Sequence, residues 1–232
     1  MPAWNEENSV AAVVADVYAA LPGVSCLVVD DGSADNTARV AREAGAIVAS
    51  LPFNLGVGGA MRLGFKYARA HGFQQVVQID SDGQHSPSDA PRLLEALADA
   101  DIVIGARFAG VGSYEARGPR RWAMRLLSAV ISRVAGTRLT DTTSGFRACG
   151  PRAIRIFAEN YPAEYLGDTI EALVIAARKG CRLVQVPVAM NARTAGVPSH
   201  NPVKAAVYLG RVTLSLVFAL LRPPSSYQEK AA

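Results

Sequence analysis

Cysteine is scarce in this 232-residue chain, and its three cysteines are far apart in the sequence. Cys26, Cys149 and Cys181 form no Cys-x-x-Cys pair and have no histidine at a metal-ligand spacing. Neither a disulfide framework nor a structural zinc site is therefore supported. So few cysteines are typical of a protein from a reducing, cytoplasmic compartment.

Long hydrophobic runs are also lacking. The longest, Val212–Leu221, is far shorter than the roughly 20 residues that a membrane-spanning helix needs. Met1 is followed at once by a polar, charged segment, without the basic and apolar run of a signal peptide. We therefore expect a chain that does not cross a membrane by itself.

Net charge is small, but it is unevenly distributed. Basic residues number 24 and acidic residues 20, and half of all residues are hydrophobic, which excludes a wholly disordered chain. Residues 105–155 hold ten arginines against Glu115 and Asp141, so this window carries +8 and the rest of the chain −4. One basic region indicates an anionic partner at one place. Few aromatic residues lie among these arginines, so nucleic acid is not expected.

The first two-thirds of the chain alternates β-rich runs with helical patterns. Strands are predicted at 25–30, 46–50, 75–79 and 101–105, and helices at 10–21, 37–44, 58–70 and 88–98. Apolar strands between helices predict an α/β fold, with a mostly parallel central sheet and helices on both faces. Ligands of such sheets bind at the carboxyl ends of the strands. Three polar clusters fall there: Asp30-Asp31, Asp80–Asp82 and Arg107.

The alternation lapses beyond residue 107. A helix predicted over 120–135 has two arginines and two serines on one face: Arg121, Arg125, Ser128 and Ser132. This basic face is either a solvated surface or a dock for phosphates of a lipid or a bilayer. A helix near 169–179, a strand at 182–188 and a helical pattern over 202–221 follow.

Two carboxylates separated by one residue follow the third predicted strand. Asp80 and Asp82 can approach one hard divalent cation, and Mg²⁺ and Mn²⁺ prefer such oxygen ligands, usually shared with substrate phosphates. Taken alone, the pair is more often an ordinary turn. Asp30 and Asp31 at another strand end favour the metal, because four carboxylates at one edge repel one another unless a cation or a donor-rich ligand joins them.

Neighbouring polar and glycine-rich segments are weaker signals. Gln84 and His85 are candidates to support a metal or a diphosphate, although an ordinary turn histidine is the commoner interpretation of His85. The glycine-rich segment 54–60 opens a predicted helix and could let a ligand approach its backbone. It lacks both the third glycine of a dinucleotide fingerprint and the lysine of a P-loop. Tight helix–sheet packing is the commoner reason for such a segment.

Six motifs occur in an order that resembles one protein family. They are Pro2-Ala-Trp-Asn-Glu-Glu7, Val29-Asp-Asp-Gly-Ser33, Asn54-x-Gly-x-Gly-Gly-Ala60, Gln78-Ile-Asp-Ser-Asp-Gly-Gln-His85, Asp101-Ile-Val-Ile-Gly-Ala-Arg107 and Asp141-Thr-Thr-Ser-Gly-Phe-Arg147. Over residues 2–195 they resemble the family 2 glycosyltransferases, specifically the branch of dolichyl- and polyprenyl-phosphate mannose and glucose synthases. The resemblance implies the GT-A fold of nucleotide-diphospho-sugar transferases, which agrees with the α/β prediction.

The resemblance implies a metal-dependent, inverting hexosyltransferase of cell-envelope glycan synthesis. It would move a hexose from a nucleotide-diphosphate sugar to a polyprenyl phosphate, with Mg²⁺ or Mn²⁺ as cofactor. The implied location is cytoplasmic, peripherally on the inner face of the membrane. Implied partners are the donor, the polyprenyl phosphate or membrane surface, and a small membrane protein; a homodimer is left open.

The resemblance also implies roles for individual residues. The nucleotide sugar is expected to contact Pro2, Trp4, Glu6, Glu7, Asp31, Gly58, Asp80 and Ser81. The metal is expected at Asp80, Asp82 and Gln84. The catalytic residues are expected to be Asp82, Arg107, Arg147, Asp168 and Glu171. The acceptor phosphate is expected to contact Arg117, Arg121, Arg125, Arg147 and Arg193. Arg193 opens a segment like the family's late Arg-x-x-Gly-x-Ser, here with Val197-Pro198 inserted.

We expect one catalytic domain over 1–200, divided into a nucleotide-sugar half (1–110) and an acceptor half (111–200). Residues 201–232 would form a C-terminal amphipathic helix and tail. Family members usually begin with an apolar strand, and here Met1 replaces nearly all of it, so either the start is truncated or the sheet loses most of that strand. Many relatives carry C-terminal membrane helices. Residues 202–221 are too short and too charged to span, and we hypothesise that they lie on the bilayer or dock a small membrane partner.

Two alternatives remain open at the level of sequence. One is a transferase of the same fold that acts on a glycan or small-molecule hydroxyl, with Asp168 or Glu171 as the base. The other is a non-catalytic nucleotide-sugar binder, a pseudoenzyme. Asp80 and Asp82 argue against the pseudoenzyme, whereas the shortened first strand argues for it. The sequence does not distinguish GDP from UDP, because contacts to the base are mostly backbone and shape.

Overall fold

The structure, a computed structural model, describes residues 1–106, 128–162 and 168–189, with only the backbone of Asp168. Its strands are β1 (Pro2–Ala3), β2 (Leu27–Asp30), β3 (Ile47–Ser50), β4 (Val76–Gln78), β5 (Ile102–Ala106), β6 (Arg147–Cys149) and β7 (Leu183–Pro187). Its helices are α1 (Val10–Ala20), α2 (Thr37–Glu43), α3 (Gly56–Ala70), α4 (Ala90–Glu95), α5 (128–135), α6 (Pro151–Asn160) and α7 (Asp168–Arg178). Short 3₁₀ turns at Pro87–Asp89 and Ala96–Asp99 flank α4.

The strands form two sheets that meet at β1 and β4. The first sheet is parallel, in the order β1-β2-β3, and the second has the order β4-β6-β5-β7. β5 and β7 are parallel, whereas β6 is antiparallel to both β4 and β5. Ser81, just beyond β4, donates its hydroxyl to the carbonyl of Pro2 at 2.9 Å and so ties the sheets together. The predicted α/β fold with a mostly parallel sheet is confirmed, and β6 is the exception.

Apolar helix faces pack on both sides of the sheets. α1 buries four valines at helical spacing: Val10, Val13, Val14 and Val17. They belong to one core cluster with β2 and α4. A second cluster joins α3, α6 and α7 around the rings of Phe65, Phe157 and Tyr161, whose centroids are 5.0–5.5 Å apart. This packing holds the strand ends, and the loops that follow them, in fixed positions.

The predicted elements lie within two residues of those observed, with three exceptions, and residues 120–127 of the helix predicted at 120–135 lie outside the described residues. The helix predicted at 88–98 is instead the short α4 between two 3₁₀ turns. β6 is not predicted, because it is three residues long and follows a polar loop. α6 is not predicted either, although it has Pro151 in its first turn and buries Ile154 and Phe157 on one side.

Some sequence expectations lie outside the described residues. The helix over 202–221 is among them, and the proposed division into halves and tail stays a prediction. Within the described ranges, no helix is long and apolar enough to cross a membrane. The three cysteines are buried free thiols. Burial raises the pKa of Cys149 to about 12 and that of Cys181 to about 11, so these two remain protonated and unreactive at neutral pH.

Candidate donor and metal site

The carboxyl ends of β2, β1 and β4 meet at one edge of the sheets. The N–H of Asp31 donates to the carbonyl of Ala3 at 2.8 Å, and the Ser81 hydroxyl binds the carbonyl of Pro2 on the other side of β1. These bonds bring the Asp30-Asp31 turn, the start of the β1–α1 loop and the Asp80–Asp82 turn together. The edge is the one that the sequence predicts for the ligand.

The loop after β1 is bound closely to the turn after β2. Asn5 adopts a left-handed backbone conformation, with φ 54°. Its N–H donates to Ser33 Oγ at 3.0 Å, and its Oδ1 accepts the N–H of Ala34 at 2.9 Å. The N–H of Glu6 donates to Thr37 Oγ1 at 2.8 Å. The two segments therefore form one unit beside the strand ends.

Three residues predicted to line the nucleotide pocket lie on this loop. Trp4 is half exposed, at 50%, directly after β1. The carboxylate of Glu6 accepts the Ser9 hydroxyl at 2.7 Å, and that of Glu7 accepts both amide groups of Asn36 at 3.0 Å. The glutamates thus hold the loop in place, and their contact with a nucleotide stays a prediction.

Asp31 is a buried carboxyl that binds the loop before α3. Its Oδ1 accepts the N–H of Leu55 at 2.7 Å. Burial raises the pKa of Asp31; the N–H groups of Leu55 and Gly56 oppose that rise, and the charge of Asp30 adds to it. One oxygen of this carboxylate is therefore already hydrogen-bonded within the protein. Its contact with a base or ribose stays a prediction.

Two glycines let these segments approach each other closely. Gly32 has φ 67°, and a Cβ there would lie 2.6 Å from the carbonyl carbon of Phe53. A Cβ on Gly59 would lie 2.6 Å from the Cβ of Leu55. The glycine-rich segment is therefore used for close packing at Gly59. The neighbouring Gly58 is buried in α3, and its predicted contact with the donor is untested.

The Asp80–Asp82 turn presents one exposed and one buried carboxylate. The Asp80 side chain is 37% exposed, and Asp82 is buried, with Oδ1 accepting the N–H of Gln84 at 3.0 Å. The N–H of Asp80 donates to His85 Nδ1 at 3.2 Å, and the His85 ring stacks on Phe146 at 5.1 Å. His85 thus supports the turn, in agreement with its commoner interpretation. Within the described ranges, no three His, Cys, Asp or Glu residues form a metal-binding group.

The loop that precedes β6 lies directly against Asp80. A Cβ on Gly145 would stand 3.0 Å from Oδ2 and 3.1 Å from Oδ1 of Asp80, so glycine leaves room for this carboxylate. Phe146, the next residue, contacts His85 of the same turn. The Asp141–Arg147 motif is therefore adjacent to the predicted metal ligands.

The buried side chain of Arg147 holds this loop in place. Its guanidinium donates to the carbonyl of Ser144 at 2.9 Å and to those of Thr142 and Thr169 at 3.1 Å. Only 2% of the residue is exposed. In this conformation the guanidinium is directed at the backbone, so its predicted contact with a diphosphate or an acceptor phosphate stays a prediction. Its bond to Thr169 also fixes the start of α7, which carries Asp168 and Glu171.

Gln185 of β7, which is not among the residues predicted for the site, also holds this loop. Its Oε1 accepts the N–H of Thr140 at 2.7 Å, and its Nε2 donates to the carbonyl of Asp141 at 2.9 Å. A lone glutamine in a β-rich run carries no pattern that marks this role. Ser132 of α5 binds the same segment through the N–H of Leu139 at 2.9 Å. The serine face of the predicted 120–135 helix thus packs on the loop.

Several predicted site residues lie outside the described part of the chain. They are Arg107, Arg117, Arg121, Arg125, Arg193 and the side chain of Asp168. Glu171 and Gln84 are described and partly exposed. The expected catalytic, metal-binding and acceptor-binding roles of these residues stay predictions.

Comparison with known proteins identifies similar sequences and folds. The model of the family described as Glycosyl transferase family 2 matches residues 1–160. The chain is 32% identical to the undecaprenyl-phosphate mannosyltransferase of Micrococcus luteus, over 84% of each protein. It is 31% identical to the polyprenol monophosphomannose synthase of Mycolicibacterium smegmatis, over 85% of this chain and 78% of that protein. Glucosyl-3-phosphoglycerate synthase of Mycobacterium tuberculosis, solved with Mn²⁺, uridine diphosphate and phosphoglyceric acid, has a TM-score of 0.74 at 22% identity, covering 96% of this chain and 77% of that one. This likeness confirms the expected GT-A fold.

Proposed function

The chain belongs to glycosyl transferase family 2, and from that premise we propose that it transfers a hexose, with inversion, from a nucleotide-diphosphate sugar to a polyprenyl phosphate. The two relatives support a polyprenyl acceptor, since one is an undecaprenyl-phosphate mannosyltransferase and the other a polyprenol monophosphomannose synthase. Both match most of this chain and most of their own length.

The observation that carries the proposal is the position of Asp80. It lies between the donor-side loops, which Ser81 and Pro2 link, and the loop that contains Gly145. A diphosphate bound at Asp80 and Asp82 would therefore have the Asp141–Arg147 loop beside it. Transfer requires that a donor and an acceptor meet at one point, and at this turn residues of the two predicted halves lie against each other.

The residues present fit a divalent cation at this turn. Asp80 and Asp82 offer hard carboxylate oxygens, and Gly145 leaves space in front of Asp80. Mg²⁺ or Mn²⁺ held there would neutralise charge on the leaving nucleoside diphosphate. The solved structure with Mn²⁺ and uridine diphosphate supports such a site, as do the two carboxylates on one turn.

The acceptor determines whether a base is needed. As the bond between the anomeric carbon and the donor phosphate breaks, its electron pair leaves with the nucleoside diphosphate, and an acceptor oxygen bonds to the opposite face of that carbon. A phosphate oxygen is already anionic, so no strong base has to remove a proton. The role of the protein is then to position both substrates and stabilise the departing charge.

We further propose that the protein acts peripherally at the inner face of the membrane. A polyprenyl acceptor resides in a bilayer, and residues 202–221 carry Lys204 and Arg211 as the only charges in an otherwise apolar helical pattern. Vesicle flotation of the full chain and of a chain without residues 200–232 tests this proposal. Equal soluble fractions of the two chains would contradict it.

A donor panel tests the proposed reaction. We expect GDP-mannose, UDP-glucose or a related donor to raise the Tm only with Mn²⁺, and Asp82→Asn to abolish that rise because one anionic ligand is lost. The donor that binds should then yield a polyprenyl-phosphate hexose in a transfer assay. If no donor shifts the Tm with or without Mn²⁺, the pseudoenzyme alternative is favoured.

A hydroxyl acceptor is the second candidate. The observation that favours it is that Arg147 binds the carbonyl of Thr169, and so holds the first turn of α7, with Asp168 and Glu171, next to the loop at Asp80. The variants Asp168→Asn and Glu171→Gln distinguish the two acceptors. Transfer to a polyprenyl phosphate should be nearly unaffected, whereas transfer to a hydroxyl would lose its base and fall at least about 100-fold.

A further inference from the structure

The outer face of α3 carries a row of basic side chains. Arg62, Lys66 and Arg69 follow one another at steps of four and three residues, so they lie on one face of the helix. Leu55, which directly precedes α3, continues this row at the first turn. A Cβ on Gly59 would stand 2.6 Å from the Cβ of Leu55, so the leucine side chain covers that position. The row is therefore apolar where the helix begins and basic along its length.

α6 extends this row into a wider basic surface. Arg62 donates to the carbonyl of Glu159 at 3.0 Å, and Arg69 contacts the carboxylate of the same residue. Arg155 is exposed and lies one turn before Glu159 on the same side of α6. The α3–α6 basic surface comprises these residues and Lys66: Arg62, Lys66, Arg69, Arg155 and Glu159. Four positive charges against one negative charge leave it a net charge of +3.

Most of this positive charge is accessible to an external partner. Within the described ranges, neither Lys66 nor Arg155 forms a salt bridge. The side chains of Arg69 and Glu159 are 49% and 48% exposed, so their ion pair is weak and leaves Arg69 accessible. A cavity of about 430 Å³ is lined by Arg62, Lys66, Arg69 and Glu159. An anionic group can therefore approach several of these cations at once.

The excess of positive charge distinguishes this surface from α2 and α4. On α2, the guanidinium of Arg39 is bound by both carboxylate oxygens of Glu43. Residues 87–99, which include α4, contain Arg92 and three acidic residues. A positive field concentrated on one face directs that face toward an anionic surface.

Exposed apolar side chains flank the basic row beside the donor site. Phe53 is 62% exposed and Leu55 is 42% exposed. The N–H of Leu55 is bound by Asp31, and a Cβ on Gly32 would meet the backbone of Phe53, so both residues lie at the edge of the donor site. Lysine and arginine beside phenylalanine and leucine are the combination with which peripheral helices bind an anionic bilayer. A soluble anion would engage only the charges, whereas a bilayer also accommodates Phe53 and Leu55.

We propose that the α3–α6 basic surface, together with Phe53 and Leu55, docks the protein on an anionic lipid bilayer. The basic side chains would lie against the phosphate headgroups, and Phe53 would enter the boundary between headgroups and acyl chains. The edge that carries the donor site would then lie at the level where a polyprenyl phosphate presents its phosphate. The proposal rests on the proposed function for the identity of this acceptor, but not for the docking itself. It is separate from any contact made by residues 202–221.

Flotation of the full chain with vesicles tests the role of the charges. Vesicles of phosphatidylcholine alone are compared with vesicles that also contain phosphatidylglycerol. The test variant combines Lys66→Gln, Arg69→Gln and Arg155→Gln, and the control variant combines Arg39→Gln, Arg42→Gln and Arg92→Gln. Both lose three exposed positive charges, but the control loses them from α2 and α4. Arg62 is kept because it binds the carbonyl of Glu159.

Each basic side chain near an anionic bilayer contributes about fivefold to binding, so the test variant should bind phosphatidylglycerol vesicles about 100-fold more weakly than the wild type. The control variant should lose less than about tenfold. Equal losses in the two variants would show that only net charge matters and would overturn the proposal. Equal binding of the wild type to both kinds of vesicle would overturn it as well.

Phe53→Ser tests the apolar part of the surface. We expect it to weaken binding to phosphatidylglycerol vesicles about tenfold, because a phenylalanine side chain no longer leaves water. Ile47→Ser is the control, since Ile47 is exposed at the opposite end of β3 and should leave binding unchanged. Equal binding of the two serine variants would overturn the insertion of Phe53. All vesicle measurements are made without a donor, and a donor with Mn²⁺ should shift the Tm of the test variant and the wild type alike. A failure of docking and a failure of the proposed transfer are therefore distinguishable.

Discussion

Gly145→Ala places a methyl group against the carboxylate of Asp80. Its Cβ would stand 3.0 and 3.1 Å from the two carboxylate oxygens and 3.3 Å from Nε2 of Gln78. Ordinary contacts of a Cβ begin near 3.4 Å, so the carboxylate has to move by a few tenths of an ångström. Gly145 does not have a positive φ, so its backbone accepts alanine and the effect falls on the side chain of Asp80.

Gly145→Ala should cost modest stability and should also weaken metal-dependent binding. Crowding by one methyl group costs about 1–3 kcal/mol, and the reduced freedom of the unfolded chain returns about 0.4–1 kcal/mol. Metal ligands tolerate displacements of only about 0.2 Å. A few tenths of an ångström at Asp80 should therefore weaken donor binding in Mn²⁺ about tenfold or more, which corresponds to about 1.4 kcal/mol.

Isothermal titration of the donor, with and without Mn²⁺, measures this effect. Gly64→Ala is the matched control, because its added Cβ contacts only Val29, at 3.8 Å, and lies away from the Asp80 turn. We expect Gly145→Ala to lose affinity in Mn²⁺ and to equal the wild type without metal. Unchanged affinity in Mn²⁺ would refute the assignment of Asp80 as a metal ligand, and an equal loss without metal would point to general distortion.

Three further predictions concern buried charges. Burial lowers the pKa of the Met1 amine, so the stability that its neutral form contributes is present above pH 8.0 and is lost as pH falls through the lowered pKa. Thermal unfolding between pH 6 and 9 should show the Tm falling as the pH is lowered through this range, and a Tm that stays constant would contradict it. Burial raises the pKa of Asp31, so its contribution is present below pH 3.8 and is lost as pH rises through the raised pKa. In the same thermal unfolding assay, the Tm of Asp31→Asn minus that of the wild type should therefore be higher at pH 7 than at pH 3.5. Arg147→Lys should reduce the free energy of unfolding in urea by at least about 3 kcal/mol, because it leaves buried carbonyls without donors; a stable variant with lost transfer would favour the phosphate-binding role instead.

Local patterns explain why much of the fold can be predicted from the sequence. The valines of α1 recur at helical spacing, and β2 is a short apolar run that ends in Asp30-Asp31. β6 offers no such pattern. Its three residues pair with residues of β4 and β5 that lie 43–73 positions earlier in the chain. Its existence depends on that distant pairing, which no local window contains.

In the candidate site, too, features with a local sequence pattern could be predicted, and features that depend on distant contacts could not. The carboxylates could be placed at the strand ends because they directly follow apolar runs. The partners of Asp31 could not, since the N–H of Leu55 is 24 residues away. Arg147 shows most clearly what a sequence motif can and cannot predict. As an arginine within a motif, it is predicted to bind an anionic ligand. In the structure it binds three backbone carbonyls, two from the loop before β6 and one from α7, which only the folded chain brings together.

The position of β6 explains how the Asp80 turn and the Asp141–Arg147 loop are held beside each other. Arg147 begins β6 and pairs with Gln78, which ends β4 two residues before Asp80. Its guanidinium then fixes the preceding loop and the start of α7 through backbone carbonyls. The loop beside Asp80 is therefore held by main-chain pairing and by hydrogen bonds to carbonyls. A site built in this way is aligned before either substrate binds, so the energy of substrate binding remains for positioning the donor and the acceptor and for stabilising the leaving diphosphate.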